Sequence, residues 1–458
     1  MRSFALLLSD FRSGAGLRGQ LLRGGAWGVG IRLLSALVAM LLSVVLARTL
    51  GPDGLGIYAF AFALVTILTI PAHLGLPDLV VRETAAAQKA GNWGVMGGIW
   101  FWSSAASLAM SIAIVGIGAL LLWLFADRLG PHYAETLWWG LPLVPLLAFG
   151  QLRGAALRGL RKVPHGHFPE LVLRPLLLIL ALTAFYYFGM PLSPNSAMML
   201  HVVAAIITFG VGGAILFLVR PRGVSEVNSL VFKQRYWLTS AIPLLLVSGL
   251  DVLSQNIGLV VLGIFGSIES VALFRVAMQV SLFVGLGQAI TRLVIAPYYT
   301  ILHADNNQDK QQRLVLSVAQ LTFTTTLFAS VVIWAFGPQL IAMAFGDSFL
   351  GAYVPLCILL LGQVALGFGS PTSVLLTMTG YEKETATAAG IGLAIITIGT
   401  LALVPLYGAI GAAAAWTAGV IIWQAFMWQK AASLIGIECT AWGKVGFLLH
   451  RIKSHRRL

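Results

Sequence analysis

Long apolar segments separated by short polar connections fill most of this chain. Each segment holds about 20 residues, the length that an α-helix needs to cross the hydrocarbon core of a bilayer. They lack the alternation of apolar and polar residues that is typical of barrel strands, so we predict transmembrane helices. The pattern predicts about twelve spans, near residues 26–47, 55–76, 98–125, 137–157, 169–189, 196–219, 238–264, 269–298, 314–336, 352–378, 386–405 and 409–429.

The first two predicted spans form a hairpin around which we interpret the rest of the chain. A short turn with the sequence RTLGPDGLG, at residues 48–56, joins the two apolar segments. Glycine and proline at this density are typical of a tight turn. Arg32 lies inside the first apolar segment, where a charged side chain is costly. The role of this arginine is the first functional question that the sequence raises.

The composition excludes a water-soluble globule. Of the 458 residues, 58% are hydrophobic and only 10% are charged, against about 25% charged residues in soluble proteins. The mean hydropathy is +0.90. The net charge of +13 is no sign of nucleic-acid binding, because the basic residues fall between spans rather than on one soluble face. We therefore predict an all-α polytopic membrane protein with no nucleic-acid partner.

The distribution of Lys and Arg predicts the orientation of the chain. One set of connections, together with the two terminal segments, holds 23 of the 29 basic residues, whereas the opposite set holds only Arg48 and Arg128. This asymmetry follows the positive-inside rule and predicts an even number of spans with both termini cytoplasmic. The apolar run at residues 4–8 is too short for a signal peptide, so we interpret the N-terminal segment as a cytoplasmic tail.

The basic segment between the sixth and seventh spans divides the chain into two halves. It has the sequence RPRGVSEVNSLVFKQR at residues 220–235. We predict an N-terminal six-helix lobe at 1–219, a cytoplasmic basic linker at 220–237, and a C-terminal six-helix lobe with a basic cytoplasmic tail at 238–458. Two six-helix lobes around a central cavity are the expected architecture, since transporters are often built from such repeats.

Enzyme and metal signatures are absent from the sequence. It has no phosphate-binding loop, no HExxH motif and no Gly-x-Ser-x-Gly elbow. His165 and His167 have no partners that would complete a metal site, and Cys357 and Cys439 are too far apart in sequence to suggest a disulfide framework or a metal knuckle. We expect a protein that is not an enzyme, has no catalytic residues, and binds no metal and no cofactor.

The ionisable residues inside spans are the candidate functional residues. Such a residue costs about 2.5–3.5 kcal/mol at mid-bilayer on insertion scales, and it normally faces a partner or a wet cavity. We predict that Arg32, Arg275 and Arg292 bind substrate in a cationic cavity. At helical spacing, Ser35 shares a face with Arg32, Gln255 with Asp251, and Gln288 with Arg292. We expect these three polar residues to line the cavity.

Alternative roles stay open for several of these charges. Arg174 can pair with Glu170 at i, i+4, or it can extend to the interface, as Arg292 also can. Asp251, in the seventh span, either couples an ion or neutralises one of the arginines. Because arginines outnumber acids deep in the spans, the cavity is expected to be cationic. Such a cavity suits an anionic substrate, and a guanidinium can bind two phosphate oxygens at once.

Motifs along most of the chain resemble the polysaccharide biosynthesis flippases, the Wzx-type O-antigen and exopolysaccharide translocases. This family belongs to the multidrug/oligosaccharidyl-lipid/polysaccharide exporter superfamily. The most specific motif is RTLGPDGLGIY at residues 48–58. The other motifs are Leu74-Gly75-Leu76 with Arg82, Leu157-Arg158-Gly159-Leu160 with Arg174-Pro175, Ala296-Pro297, Phe345-Gly346-Asp347, Gly380-Tyr381-Glu382 and Tyr407-Gly408-Ala409.

The resemblance implies a two-lobed transporter of the bacterial inner membrane. Its substrate would be an undecaprenyl-diphosphate-linked oligosaccharide, moved from the cytoplasmic to the periplasmic leaflet by alternating access. The product would be O-antigen lipopolysaccharide, capsule or exopolysaccharide. The implied partners are this lipid, the surrounding membrane lipids, and a polysaccharide polymerase with its chain-length machinery. A proton or sodium gradient is a candidate energy source.

Other functions remain open at this point. A lipid II flippase resembles this family but typically has additional spans, and a cation-coupled multidrug exporter would be expected to have an acid-rich cavity. A membrane polymerase or ligase usually has a large periplasmic loop, and none of the predicted outer loops is long enough. A scaffold for a polysaccharide assembly complex is the remaining alternative.

Overall fold

The described part of the chain is helical and contains no β-strand. The computed structural model describes residues 17–125, 130–226, 229–292, 295, 299 and 308–443. Residues 1–16 of the predicted N-terminal tail, residues 444–458 of the C-terminal tail, and the Ala296-Pro297 motif lie outside these residues. The α-helices are Leu17–His73, Leu76–Ala90, Trp93–Phe125, Pro131–Gly140, Leu143–Gly159, Val163–Phe168, Arg174–Tyr187, Pro194–Val219, Arg222–Ser225, Gln234–Phe265, Ile268–Val284, Leu286–Arg292, Gln308–Ala344, Tyr353–Phe368, Thr372–Met378 and Glu382–Leu434.

Within the described residues, these helices provide twelve membrane spans. Nine segments are long and apolar enough to cross a membrane, and the bent pair Ile268–Val284 and Leu286–Arg292 makes a tenth. Two of the nine, with 46 and 53 residues, are more than twice the length of about 20 residues that one span requires. Each of them is therefore two spans, which brings the number from ten to twelve and confirms the predicted fold class.

Glycines with non-helical backbone angles divide the two long segments. Gly51 has φ 66° and ψ −177°, and Gly408 has φ 54° and ψ −128°. Glycine tolerates these positive φ values, which are costly for other residues. We number the spans in chain order: 28–51, 52–73, 93–125, 132–159, 163–187, 194–219, 234–265, 268–292, 308–344, 347–368, 382–407 and 409–434.

The helices form two compact units. The first unit contains residues up to Val45 together with Leu64–Gly249, and the second contains Leu46–Ala63 together with residues from Leu250 onward. Residues 46–63, which include the turn between spans one and two and more than half of span two, thus belong to the second unit, whereas most of span one belongs to the first. The predicted lobe boundaries at residues 219 and 238 stay a prediction.

Each unit has its own buried core. In the first unit, the amphipathic helix Leu76–Ala90 packs its Leu76, Leu79 and Val80 against Met96, Leu152 and Trp237. In the second unit, Val315, Leu375, Ala388 and Met427 form a core together with Ile437 and Cys439, which follow the last span. The cytoplasmic tail predicted after span twelve therefore begins as a packed segment.

Hydrogen bonds hold this packed segment, Ile435–Gly443, to the second unit. The Gln312 side chain pairs with the backbone of Glu438, accepting from its N–H at 2.9 Å and donating to its carbonyl at 2.8 Å. Trp428 Nε1 donates to the Glu438 carboxylate at 2.9 Å. Cys357 and Cys439 are both free thiols, and burial raises the pKa of Cys439 to about 12.

Candidate functional site

Arg32 and Ser35 lie in the first unit, on span one. The Arg32 side chain is exposed, and Ser35 is half-buried. The Ser35 hydroxyl donates to the Arg32 carbonyl at 2.9 Å, so the hydroxyl proton already forms a hydrogen bond within span one. Val38, one turn further along, packs against Val172 and Ile179 of span five. Span one is thus anchored on one face, while the Arg32 guanidinium stays accessible on its surface.

Arg275 lies in the second unit, beside a tyrosine that the opening hairpin contributes. Its side chain is half-buried on span eight and interacts electrostatically with Tyr58, which is itself 4% exposed. Among the described residues, no carboxylate lies within ion-pair distance of Arg275. An arginine in a span normally requires a partner or water.

Close backbone packing places Tyr58 in this unit. Gly56, two residues before it, lies against the backbone carbonyl of Ile268, and a Cβ at Gly56 would overlap that oxygen. The ring of Phe60 similarly occupies the space that a Cβ of Gly263 would need. Gly56 of the opening motif therefore serves helix packing in the second unit.

Arg48 completes the attachment of the hairpin to the second unit. Its Nε donates to the Ala344 carbonyl at 2.9 Å, and its Nη2 donates to the carbonyls of Met343 at 2.5 Å and Ala342 at 3.3 Å. These carbonyls lie at the C-terminal end of span nine, where the helix dipole is negative and the last acceptors have few partners within the helix. Arg48 is therefore a helix-capping residue, a role that the sequence analysis missed.

Asp251 and Gln255 lie on span seven in the second unit. Asp251 is exposed and Gln255 is half-buried. The backbone carbonyl of Asp251 accepts from Ser254 Oγ at 2.8 Å. The Asp251 carboxylate forms no ion pair with the Lys and Arg residues of the described part of the chain. The alternative in which Asp251 only neutralises a neighbouring arginine therefore gains no support.

Gln288 lies among three helices of the second unit. It is 2% exposed, and its Nε2 donates to the Gln363 carbonyl at 2.9 Å and to Thr326 Oγ1 at 3.2 Å. Gln363 Nε2 in turn donates to Ser281 Oγ at 3.2 Å. These contacts favour a packing role for Gln288 over the predicted role in cavity lining. Arg292 is exposed, at the end of the helix Leu286–Arg292.

A buried charge cluster in the first unit was not predicted. Arg153, on span four, is 7% exposed, and its Nη2 donates to Glu170 Oε1 at 2.7 Å. Arg174 Nη1 lies 3.8 Å from Glu170 Oε2, so the structure shows the i, i+4 pair, one of the two roles left open for Arg174. Arg153 Nη1 also donates to the carbonyls of Thr208 and Phe209 on span six. We name Arg153, Glu170 and Arg174 the buried charge cluster.

Arg153 falls within the span predicted at 137–157, although the count of 23 basic residues assigned it to the adjoining cytoplasmic connection. The helix Leu143–Gly159 continues for six residues beyond Arg153, so this arginine lies inside a span. Its carboxylate partner belongs to a π-helical turn, Pro169–Leu173, of a kind that is frequent at functional sites. Arg153 and Glu170, 17 residues apart, share no short motif. The only sequence signal was the presence of two opposite charges near the ends of consecutive apolar segments.

Bare glycine backbone makes room for the buried charge cluster. A Cβ at Gly212 would lie 2.5 Å from Arg153 Nε, and a Cβ at Gly150 would lie 2.7 Å from the carboxylate carbon of Glu170. In the present geometry, both glycines thus leave the space that these charged groups occupy. The described residues include no group of three or more His, Cys, Asp or Glu side chains that could hold a metal ion.

Comparisons with known proteins connect this fold to a family. Residues 21–303 match the model of the family described as "Polysaccharide biosynthesis protein". These residues are more than half of the 458 in the chain. No curated protein sequence matches the chain.

Solved transporter structures are similar over most of the chain. An inward-facing multidrug resistance MATE transporter of the MOP superfamily has a TM-score of 0.72 at 18% identity, with 88% of this chain and 97% of that chain covered. The lipid II flippase MurJ in an inward closed conformation has a TM-score of 0.69 at 13% identity, with 88% and 86% covered. A MOP transporter from Pyrococcus furiosus has a TM-score of 0.64 at 18% identity, with 91% and 96% covered. At these identities the likeness shows the fold alone.

Proposed function

This chain belongs to the polysaccharide biosynthesis protein family, and from this premise we propose that it is a flippase for an undecaprenyl-diphosphate-linked oligosaccharide. It carries this lipid across the bacterial inner membrane by alternating access, with both of its own termini in the cytoplasm. The product enters the synthesis of O-antigen, capsule or exopolysaccharide. A polysaccharide polymerase and its chain-length machinery are the partners that would use the translocated unit.

One observation carries the choice of an anionic substrate. The Arg275 guanidinium is half-buried in a membrane-spanning helix, and the described residues supply no carboxylate to pair with it. A diphosphate provides the missing charge and oxygen acceptors that suit a guanidinium. The exposed Arg32 on span one is the second candidate for the same role.

Substitution of Arg275 tests the proposal. We expect Arg275→Ala to reduce polymer export at least tenfold, because a charge-assisted hydrogen bond contributes about 1.5–3 kcal/mol. We expect Arg275→Lys to restore part of it. The measurement is surface polymer in a strain that lacks the chromosomal gene, with lipid-linked repeat units assayed in each leaflet.

The matched control is Lys162→Ala, which removes an exposed charge from the connection between spans four and five. This variant should export normally, and all three variants should insert into the membrane at equal levels. Normal export by Arg275→Ala at equal protein level would contradict the proposal. Lipid-linked units should accumulate on the cytoplasmic leaflet of the Arg275→Ala strain.

A lipid II flippase is the second candidate, supported by the structural likeness to MurJ. The twelve spans favour the oligosaccharide substrate, since the lipid II flippases that resemble this family typically have additional spans. The two candidates differ in the effect of deletion. Loss of a lipid II flippase stops peptidoglycan synthesis and growth, whereas loss of the proposed flippase removes a surface polymer from living cells.

Asp251 is the residue that we propose for energy coupling. Its carboxylate is exposed on a membrane span and has no ion-pair partner among the described residues. We expect Asp251→Asn to keep binding of the lipid substrate but to lose the acceleration of transport by a proton or sodium gradient. The measurement is transport of a fluorescent lipid-linked oligosaccharide in proteoliposomes with and without each gradient. Unchanged acceleration in the variant would exclude this role.

A further inference from the structure

The basic linker between the two halves is packed against the first unit over much of its length. We name residues 220–226 and 229–237 the linker strap. It lies between the end of span six at Val219 and the first turn of span seven, so it runs along one membrane surface. The backbone N–H of Val231 donates to the Gly94 carbonyl at 3.0 Å.

Glycines on span three allow the linker strap to approach closely. A Cβ at Gly98 would overlap the Val231 carbonyl oxygen, and a Cβ at Gly94 would lie 3.0 Å from the Ser229 carbonyl oxygen. At the other end of the strap, atoms of the Trp93 ring lie 2.5 Å from the position that a Cβ of Gly223 would take. The linker strap therefore packs closely against span three.

Side chains of the helix Leu76–Ala90 secure the end of the linker strap. Arg82 Nη2 donates to the Tyr236 hydroxyl at 3.2 Å, and its guanidinium lies 5.7 Å from the Tyr236 ring centre. Trp237 is fully buried, and its Nε1 lies 3.4 Å from Glu83 Oε2, to which it donates. The strap is thus held by side chains as well as by backbone contacts.

The outer face of the linker strap combines apolar and basic groups. Leu230, Val231 and Phe232 are each more than 40% exposed, and the Phe232 ring meets the edge of Phe101 at 6.2 Å. Phe101 itself is 61% exposed on span three, one of the segments long and apolar enough to cross a membrane. The four basic residues of residues 220–237 outnumber the one acid; they are Arg220, Arg222, Lys233 and Arg235.

This combination fits the headgroup region of an anionic bilayer. Apolar side chains beside a membrane-facing phenylalanine enter the boundary between headgroups and acyl chains, while neighbouring Lys and Arg side chains attract anionic headgroups. We propose that the linker strap is a binding surface for anionic phospholipids, separate from the site of the transported lipid. The surface selects phosphatidylglycerol over zwitterionic lipids at this edge of the first unit.

The test measures lipid selectivity of the full chain. The protein is reconstituted in phosphatidylcholine bilayers, and spin-labelled phosphatidylglycerol and phosphatidylcholine report their association with it. We expect the native protein to prefer phosphatidylglycerol, with a preference that falls as salt is raised. We expect the double variant Lys233→Gln, Arg235→Gln to lose about fivefold or more of this preference.

Two matched controls make the test decisive. The variant Arg161→Gln, Lys162→Gln removes the same number of exposed charges on the same predicted side, but outside the strap, and should keep the preference. Gly98→Ala keeps every charge but displaces the strap and should weaken the preference, whereas Gly116→Ala, on the same helix with no atom within 4 Å of its Cβ position, should not.

An equal loss in the two charge variants would overturn the proposal, because the attraction would then belong to the whole basic surface. An unchanged preference in the Lys233→Gln, Arg235→Gln variant would also overturn it. Each variant is first compared with the native protein by size-exclusion chromatography in detergent, which checks that it folds. If Gly98→Ala fails to fold, the pair of charge variants decides the outcome alone.

Discussion

The Arg153–Glu170 pair shows how this chain accommodates charge inside a membrane unit. Moving two charges out of water costs solvation free energy. The attraction between them offsets this cost only when the geometry is good and further hydrogen bonds are formed. Here the 2.7 Å contact is joined by two backbone carbonyls of span six, which accept from the same guanidinium. Arg153, Glu170 and span six thus tie three helices of the first unit together.

Gly212 controls the space that this guanidinium occupies. Alanine usually stabilises a helix relative to glycine by up to about 1 kcal/mol, but at position 212 the added carbon would meet Arg153 Nε at 2.5 Å. Overpacking of this kind costs about 1–3 kcal/mol. We expect Gly212→Ala to lower the midpoint of thermal unfolding in detergent.

The adjacent glycine provides the control for that experiment. Gly213 has no atom within 4 Å of its Cβ position, so Gly213→Ala should be neutral or slightly stabilising. The difference in the free energy of unfolding between the two variants should be about 1–3 kcal/mol. Equal unfolding midpoints would mean that Arg153 moves aside freely, and that the buried charge cluster does not depend on its present geometry.

At the scale of helices, Arg48 links the opening hairpin to span nine. Its guanidinium donates to three carbonyls at the end of that helix. Because such hydrogen bonds and the helix dipole each contribute about 1 kcal/mol, we expect Arg48→Met to reduce the free energy of unfolding by about 1–3 kcal/mol. Chemical denaturation in detergent would measure this loss.

Arg48→Lys serves as the comparison for this capping role. A lysine keeps the positive charge near the helix end but cannot reproduce the planar donor set of arginine. It should therefore retain part of the stability that Arg48→Met loses. Identical losses in both variants would show that the charge contributes nothing at this helix end.

The spans were predictable from sequence because their signal is local. Length and hydropathy are read directly from consecutive residues, and the kinks at Gly51 and Gly408 fall within motifs that the sequence analysis singled out. The roles of individual charges were less predictable. Arg48 and Ala344 are 296 residues apart, and no periodicity connects them. Gln288 has the helical register of a lining residue, yet neighbouring helices enclose it.

At the scale of the whole molecule, the uneven distribution of basic residues predicts which connections face the cytoplasm. The connection between spans four and five contains Arg161 and Lys162, whereas the one between spans five and six contains no Lys or Arg. Successive connections of a membrane protein lie on opposite sides. The positive-inside rule therefore places Lys162 in the cytoplasm and Met190 outside.

Cysteine labelling can check this arrangement with little interference from the native thiols. Maleimide reacts with thiolate, and the buried Cys439, with its pKa raised to about 12, is almost fully protonated at neutral pH. With Cys357→Ala as background, we expect Met190→Cys to label in intact cells with opened outer membrane. Lys162→Cys should label only after the inner membrane is permeabilised. Both positions are exposed. Labelling of both from one side would contradict the single span that separates them. Labelling of Lys162→Cys in intact cells, with Met190→Cys labelled only after permeabilisation, would contradict the predicted orientation.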